Sequence, residues 1–289
     1  MKNIKFTKMS AAGNDFVVVE DSDLCGLAGK ICDRRYGIGA DGMLLLEKTA
    51  KADIRMRIFN PDGSEVDMCG NGARCAAVYY TYMLSAIRYP LIKIETKAGI
   101  LEAKIDGDMV KLKMSDPHSM KLDISLVIAR NDERKRGVTK QSPCSKSEIA
   151  LGTSCLRNDV MVVNFINTGV PHAVIFVDDL ENIDVDKLGR AIRNSERFAP
   201  KGANVDFVKV LGKDKIAVRT YERGVEAETL ACGTGCVAAA ILSGAGRSVD
   251  VVTHGGEILK VCFEKKGAKV SNVWLEGSAK IVYKGRMEL

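Results

Sequence analysis

One arrangement of cysteine occurs twice in the chain. Met68-Cys69-Gly70-Asn71-Gly72-Ala73-Arg74-Cys75 and Ala231-Cys232-Gly233-Thr234-Gly235-Cys236 both read Cys-Gly-x-Gly and run on into small apolar residues. A glycine-rich turn that opens a helix leaves backbone N–H groups unpaired at the end where the helix dipole is positive. Such an end seats a carboxylate and favours a thiolate, lowering a cysteine below its free pKa of about 8.5. Inverting a stereocentre that carries a C–H needs a base on one face and an acid on the other. Cys69 and Cys232, one as thiolate and one as thiol, meet that need symmetrically. The N–H groups of Gly70, Asn71, Gly233 and Thr234, converging on a substrate carboxylate, would stabilise the charge that develops. Nothing in the sequence marks a pyridoxal phosphate lysine or a metal site, so the chemistry is expected to run without a cofactor.

Burial as a small hydrophobe is the ordinary fate of any one of the nine cysteines. Core packing alone does not require two of them at matched, glycine-flanked helix starts. Two further groups are candidates for setting thiol protonation. His172, one of only three histidines, follows a Gly-Val-Pro turn and is a candidate neighbour of Cys69. Glu222, beside Arg223 in a turn ahead of Cys232, could act on that second thiol.

The elements that must position these residues read as a repeat. Residues 4–19 look like two strands around a loop at Ser10–Asp15, and Leu24–Arg35 has helical spacing. Ile54, Met56 and Ile58 alternate with arginines as a half-buried strand, which empties into the turn Phe59-Asn60-Pro61-Asp62-Gly63-Ser64-Glu65. The helix from Gly70 to about Leu84 has little polar surface and should be buried on most sides. Further strands are expected at 91–96, 100–105 and 109–114, then one near Ile124–Ala129 with a loop beyond it. In the second half Ala203-Asn204-Val205-Asp206-Phe207 echoes Gly13-Asn14-Asp15-Phe16, an amphipathic helix covers Asp186–Phe198, and the strand Ile216–Thr220 leads through Tyr221-Glu222-Arg223-Gly224 to Cys232.

The chain is therefore expected to be an internal duplication of an α+β unit: two pseudo-symmetric domains, each a mixed, barrel-like sheet around a central buried helix. The expected domains are 1–117 with about 278–289, and 118–277, with the active site in the cleft between them. A length of 289 residues allows two cores, and 46% hydrophobic with 28% charged residues is ordinary globular composition. The net charge of +6 is scattered, and the compact basic run at 134–140 has no aromatic platform, which argues against nucleic-acid binding. No apolar run reaches the ~18 residues of a membrane span and no hydrophobic signal core follows Met1, so a cytoplasmic protein with free thiols is expected.

These residues resemble the diaminopimelate epimerase family, cofactor-independent enzymes that interconvert LL- and meso-diaminopimelate. Gly13-Asn14-Asp15-Phe16, Gly37-Ile38-Gly39-Ala40-Asp41-Gly42, Phe59 to Ser64, Met68 to Cys75, Pro171-His172, Asn204 to Phe207, Tyr221 to Gly224 and Ala231 to Gly235 all fall in family order, almost end to end. The resemblance implies that Cys69 and Cys232 are the catalytic bases and that His172 and Glu222 tune them. It implies that Gly70, Asn71, Gly233 and Thr234 hold the reacting end of the substrate. Asn14, Asn60, Asn204, Glu222 and Arg223 would contact it largely at the distal amino acid. It also implies two similar barrel-like domains, a small amino acid as substrate and a homodimer.

Gly42 stands where many members carry Gln, and Val170 where they carry Asn; Asn167 is a candidate replacement from the same loop. A racemase of the same fold acting on another amino acid is the main alternative. Against proline racemase, Asn71 replaces the histidine expected after Cys-Gly. A cysteine hydrolase built on Cys69 and His172 leaves the second cysteine unexplained. Metal binding by Cys69 with Cys75, or Cys232 with Cys236, matches no usual zinc spacing.

Overall fold

The computed structural model describes residues 3–83, 91–127 and 160–288. The loop expected beyond the strand near Ile124 lies outside them. In chain order the elements are β1 (Asn3–Ala11), β2 (Asn14–Val19), a 3-10 turn at Ser22–Leu27, α1 (Ala28–Cys32), β3 (Gly42–Glu47), β4 (Ile54–Phe59), β5 (Glu65–Val66), α2 (Gly70–Met83), β6 (Ile92–Thr96), β7 (Gly99–Asp106) and β8 (Met109–Lys113). There follow β9 (His118–Val127), β10 (Val160–Asn167), β11 (Pro171–Phe176), α3 (Val185–Arg193), β12 (Asn204–Gly212), β13 (Lys215–Glu222), β14 (Ala227–Thr229), α4 (Gly233–Leu242), β15 (Ser248–Thr253) and β16 (Ile258–Lys266). The chain ends with β17 (Lys269–Ser278) and β18 (Lys280–Glu288). It divides into two compact units, Met1–Met114 with Asn272–Leu289, and Ser115–Ser271.

In the first unit β1 pairs antiparallel with β18 and β2, β2 runs parallel to β3, and β3 is antiparallel to β4. β4 takes β5 antiparallel and β6 parallel; β6, β7 and β8 follow antiparallel, and β8 meets β17. The second unit repeats this with β10 to β16: β11 parallel to β12, β12 antiparallel to β13, and β13 antiparallel to β14 and parallel to β15. β9 flanks β10 as β18 flanks β1.

Each sheet wraps one helix. α2 touches β1, β2, β3, β4, β6, β7, β8 and β18, and every residue from Asn71 to Tyr79 is buried. α4 touches β10, β11, β12, β13, β15 and β16, with Gly235 to Ile241 buried. A helix surrounded by strands must be apolar on every side and slim enough for the backbones to approach. The runs Ala73, Ala76, Ala77 and Ala238, Ala239, Ala240 meet both conditions.

Three local expectations are corrected. The loop at Ser10–Asp15 shrinks to a tight hairpin: Ala11 pairs with Asn14, and Ala12 and Gly13 take φ of 49° and 83°. A right-handed strand twist favours such left-handed turn residues. The helix expected over Leu24–Arg35 becomes the 3-10 turn and the short α1, which stops at Cys32 as Asp33 takes extended backbone and caps the N–H groups of Arg35 and Tyr36. The amphipathic helix begins at Val185, capped by Asp184, and ends at Arg193, with only a 3-10 turn over Glu196–Phe198.

The strand order also corrects the echo between Asn14 and Asn204. The parallel pairs set the true equivalence: Phe16 lies opposite Gly42 in one unit, His172 opposite Asn204 in the other. Asn204 thus corresponds to Gly42, His172 to Phe16, and Asn14 to Val170.

Candidate active site

In the first unit, β4 delivers the chain into a turn at Asn60, whose N–H donates to the Ser64 carbonyl (2.8 Å) and whose Nδ2 donates to the Ser64 hydroxyl (3.0 Å). Arg57, projecting from β4, grips Glu65 with Nε and Nη2, both at 2.9 Å. Four residues later Cys69 opens α2: its carbonyl accepts the Ala73 N–H at 2.9 Å, and its Sγ lies 3.5 Å from the Gly72 N–H. The thiol is half-buried over the first helical turn.

The second unit repeats the device. Arg219 on β13 grips Glu228 with Nε and Nη2, both at 2.7 Å, and four residues later Cys232 opens α4. Its carbonyl accepts the Cys236 N–H at 2.9 Å, and its Sγ lies 3.4 Å from the Thr234 hydroxyl. A bidentate arginine–carboxylate pair has a planar, defined geometry, so both cysteine turns leave their strands from matched anchors. Cys75 and Cys236 point into the cores of their units, 0% and 1% exposed, as small hydrophobes.

The side chains around the two helix starts form directed hydrogen-bond chains. In the first unit Arg74, wholly buried, donates to Asn71 Oδ1 (2.7 Å). Asn71 Nδ2 donates to Asn14 Oδ1 (2.6 Å), and Asn14 Nδ2 to Asp41 Oδ2 (3.2 Å). In the second unit the Arg223 backbone N–H donates to Asn204 Oδ1 (2.7 Å), Asn204 Nδ2 to His172 Nε2 (3.3 Å), and His172 Nδ1 to Asp206 Oδ2 (2.7 Å). Thr220 completes it by donating to Asp206 Oδ1 (2.8 Å).

The amide orientations are thereby settled. A backbone N–H can only donate, so Asn204 must turn its oxygen to Arg223 and its NH2 to His172. The imidazole then accepts at Nε2 and carries its proton on Nδ1. Both ring nitrogens are committed within the second unit.

At Cys232 burial and nearby carboxylates work against the thiolate that a helix start favours. Burial pushes its thiol well above the ordinary cysteine value, and the Glu222 and Asp206 carboxylates push further the same way. The Thr234 hydroxyl and the Gly235 N–H oppose them without prevailing. Glu222 is itself held above the usual carboxylate range, first by burial and also by Asp206. Glu222, Asp206, His172 and Cys232 thus form one electrostatic cluster in the second unit.

Gly42 is buried, and a Cβ there would stand 3.1 Å from the Phe59 carbonyl and 3.5 Å from the Phe16 ring, leaving a side chain little room. Asn167 Oδ1 accepts the Gly169 N–H of its own loop (3.0 Å). Sequence reasoning passed over Asp206, Thr220, Arg74 and both arginine–glutamate clamps. A signal for each was present: a lone acid in the apolar run Val205-Asp206-Phe207-Val208, a lone arginine in an apolar helix, and a glutamate four residues before each cysteine.

Solved structures define the class to which this fold belongs. A PhzF-family phenazine biosynthesis protein from Bacillus anthracis superposes with a TM-score of 0.66 at 18% identity, covering 100% of both chains. A hydroxyproline epimerase from Agrobacterium vitis superposes at 0.63 and 15% identity, over 99% of this chain and 91% of that one. The fold is thus that of a class containing amino acid epimerases.

Sequence narrows it further. The family model for diaminopimelate epimerase matches residues 6–120 and 164–282. The diaminopimelate epimerase of Methanocella arvoryzae is 40% identical, with 100% of this chain and 98% of that protein aligned; that of Aquifex aeolicus is 36% identical, with 98% of each aligned. The chain belongs to the diaminopimelate epimerase family.

Proposed function

We propose that this protein interconverts LL- and meso-2,6-diaminopimelate without a cofactor, in lysine and peptidoglycan biosynthesis, with Cys69 and Cys232 working on opposite faces of one Cα. The observation that carries this reading is the matched pair of cysteines, each opening the central helix of its unit behind an arginine–glutamate clamp. A Cys69 thiolate takes the α-proton and becomes a thiol; the electron pair stays on Cα, stabilised by the N–H groups of Gly70, Asn71, Gly233 and Thr234. The Cys232 thiol delivers its proton to the other face and becomes a thiolate. Proton exchange with solvent, or the reverse reaction, resets the pair.

Cys232 suits the thiol role, since burial and two neighbouring carboxylates favour its protonated form. Asn14, Asn60, Asn204, Glu222 and Arg223 contact the substrate in this reading, and a cytoplasmic homodimer is its setting.

The test is NMR of LL-diaminopimelate with reduced protein in deuterium oxide. Deuterium should enter Cα as the meso isomer forms. Cys69→Ala and Cys232→Ala should each lower this by at least about a thousandfold, the scale of losing an essential acid or base. Full activity in either variant would defeat the two-thiol reading, and turnover of another amino acid alone would transfer the activity to a related racemase.

A further inference from the structure

We infer that Asp206 is a positioning residue for the epimerisation: its buried carboxylate fixes the proton of His172 on Nδ1, and through it the orientation of the Asn204 amide and the Arg223 N–H. This rests on the reading in which Asn204 and Arg223 meet substrate.

Asp206, on β12, is 0% exposed and makes one hydrogen bond with each oxygen, to Thr220 on β13 and to His172 on β11. Its Oδ1 also presses on the first turn of α4, where a Cβ added to Gly235 would lie 2.3 Å away. Three elements therefore hold the carboxylate in place. An acceptor at Nδ1 stabilises one neutral tautomer, and Nε2 is left with a lone pair facing Asn204. In the other tautomer an N–H of His172 would face the NH2 of Asn204. Relief would require the amide to turn over, and its NH2 would then confront the Arg223 N–H. A proton placed on the wrong ring nitrogen would thus travel as a misfit through two hydrogen bonds to the turn carrying Glu222 and Arg223.

Among the described residues the first unit has no such polar set at the matching positions. The residues equivalent to His172, Asp206 and Thr220 are Phe16, Leu44 and Ile58. The fold does not require polar side chains at these places, so the polar set in the second unit calls for a role besides packing.

Nitrogen-15 NMR of the imidazoles in the whole protein tests this directly, the His172 signal being identified by its loss in His172→Gln. The wild type should show a single tautomer with Nδ1 protonated and Nε2 bare. Asp206→Ala should admit the second tautomer, speed hydrogen exchange at the Arg223 amide, and lower kcat/KM for diaminopimelate about tenfold to a hundredfold, mainly through KM. That is the range for a lost buried hydrogen bond to a charged partner. Asp206→Asn, which keeps an acceptor oxygen but no charge, should restore the tautomer and most of the activity.

A proton on Nε2 or on both nitrogens of the wild type overturns the inference, whether or not any variant folds. So does a folded Asp206→Ala enzyme with unchanged KM, or an Asp206→Asn enzyme no better than Asp206→Ala. A wild type that shows the expected tautomer but does not turn over diaminopimelate would instead defeat the substrate reading.

Discussion

The two units share a backbone plan and differ in what they bury beneath the helix that each cysteine opens. Beneath α2 lie Phe16, Leu44 and Ile58; beneath α4, at the same strand positions, lie His172, Asp206 and Thr220. The buried charge also changes sign and side. α2 itself carries a wholly buried guanidinium, Arg74, whereas α4 rests on a wholly buried carboxylate. Each hydrogen-bond chain ends on an aspartate, but Asp41 has a side chain 39% exposed and Asp206 none. A duplicated scaffold opens both central helices with a cysteine, and the side chains packed beneath those helices differ; in the second unit burial, Glu222 and Asp206 push the Cys232 thiol up.

The sharpest way to break this comparison is to add one carbon at equivalent glycines. Gly235→Ala places its Cβ 2.3 Å from Asp206 Oδ1, whereas Gly72→Ala approaches no atom nearer than a Leu44 methyl at 3.1 Å. Alanine gains about 1 kcal/mol over glycine within a helix. In the second unit this is outweighed by displacing a buried carboxylate from its hydrogen bonds, about 1–3 kcal/mol for each. Chemical denaturation should find Gly235→Ala less stable than wild type by about 2 kcal/mol or more, and Gly72→Ala within about 1 kcal/mol. Equal losses would mean that Asp206 moves freely.

The clamps should differ by less. Arg219 also donates to the carbonyls of Leu180 (2.9 Å) and Ile183 (3.1 Å), while Arg57 adds only the Cys25 sulfur (3.3 Å) and the face of Phe59. Arg219→Ala leaves more buried acceptors unmet and should cost about 3 kcal/mol against about 1–2 for Arg57→Ala in the same measurement. Both should lower kcat, since each anchors a cysteine turn. A variant that loses stability with kcat intact would separate clamp from turn.

The smallest effect lies in pH dependence, and its sign differs between the units. Glu222 titrates above its unfolded value, chiefly through burial, so it contributes stability below about pH 4.3 that is lost as pH rises through its native pKa. Asp15 is the reverse. Burial pushes it up, but Arg34, Lys8 and the Asp41 N–H prevail and hold it well below the usual range. Its contribution is present above about pH 3.9 and is lost as pH falls. Melting curves should show Asp15→Asn removing part of the acid limb and Glu222→Gln flattening the loss toward neutral pH, each on the order of 1 kcal/mol.

The repeat was legible in the sequence because backbone demands leave local marks: glycines at the helix starts, alanine-rich helices, and turn residues ahead of both cysteines. The register of the repeat was not. Gly13-Asn14-Asp15-Phe16 resembles Ala203-Asn204-Val205-Asp206-Phe207, yet the first opens β2 and the second β12, which answers to β3. A four-residue likeness reports a strand start, and only pairing across the sheet says which strand it is. With the pairing in hand, Gly42 and Val170 are the positional equivalents of Asn204 and Asn14. Helix ends were misjudged where caps decide them, at Asp33 and Asp184. The upward push on Cys232 was hidden because it comes first from burial and then from carboxylates on β12 and β13 rather than from residues beside it in sequence.

The contact between Gly235 and the Asp206 carboxylate also reaches into how such a sequence can drift. Neither position can change alone without a clash or a void, so substitutions at one should travel with substitutions at the other. A smaller residue at 206 would open the space for a side chain at 235, and lineages that lost the buried acid should be those in which that glycine ceases to be obligatory.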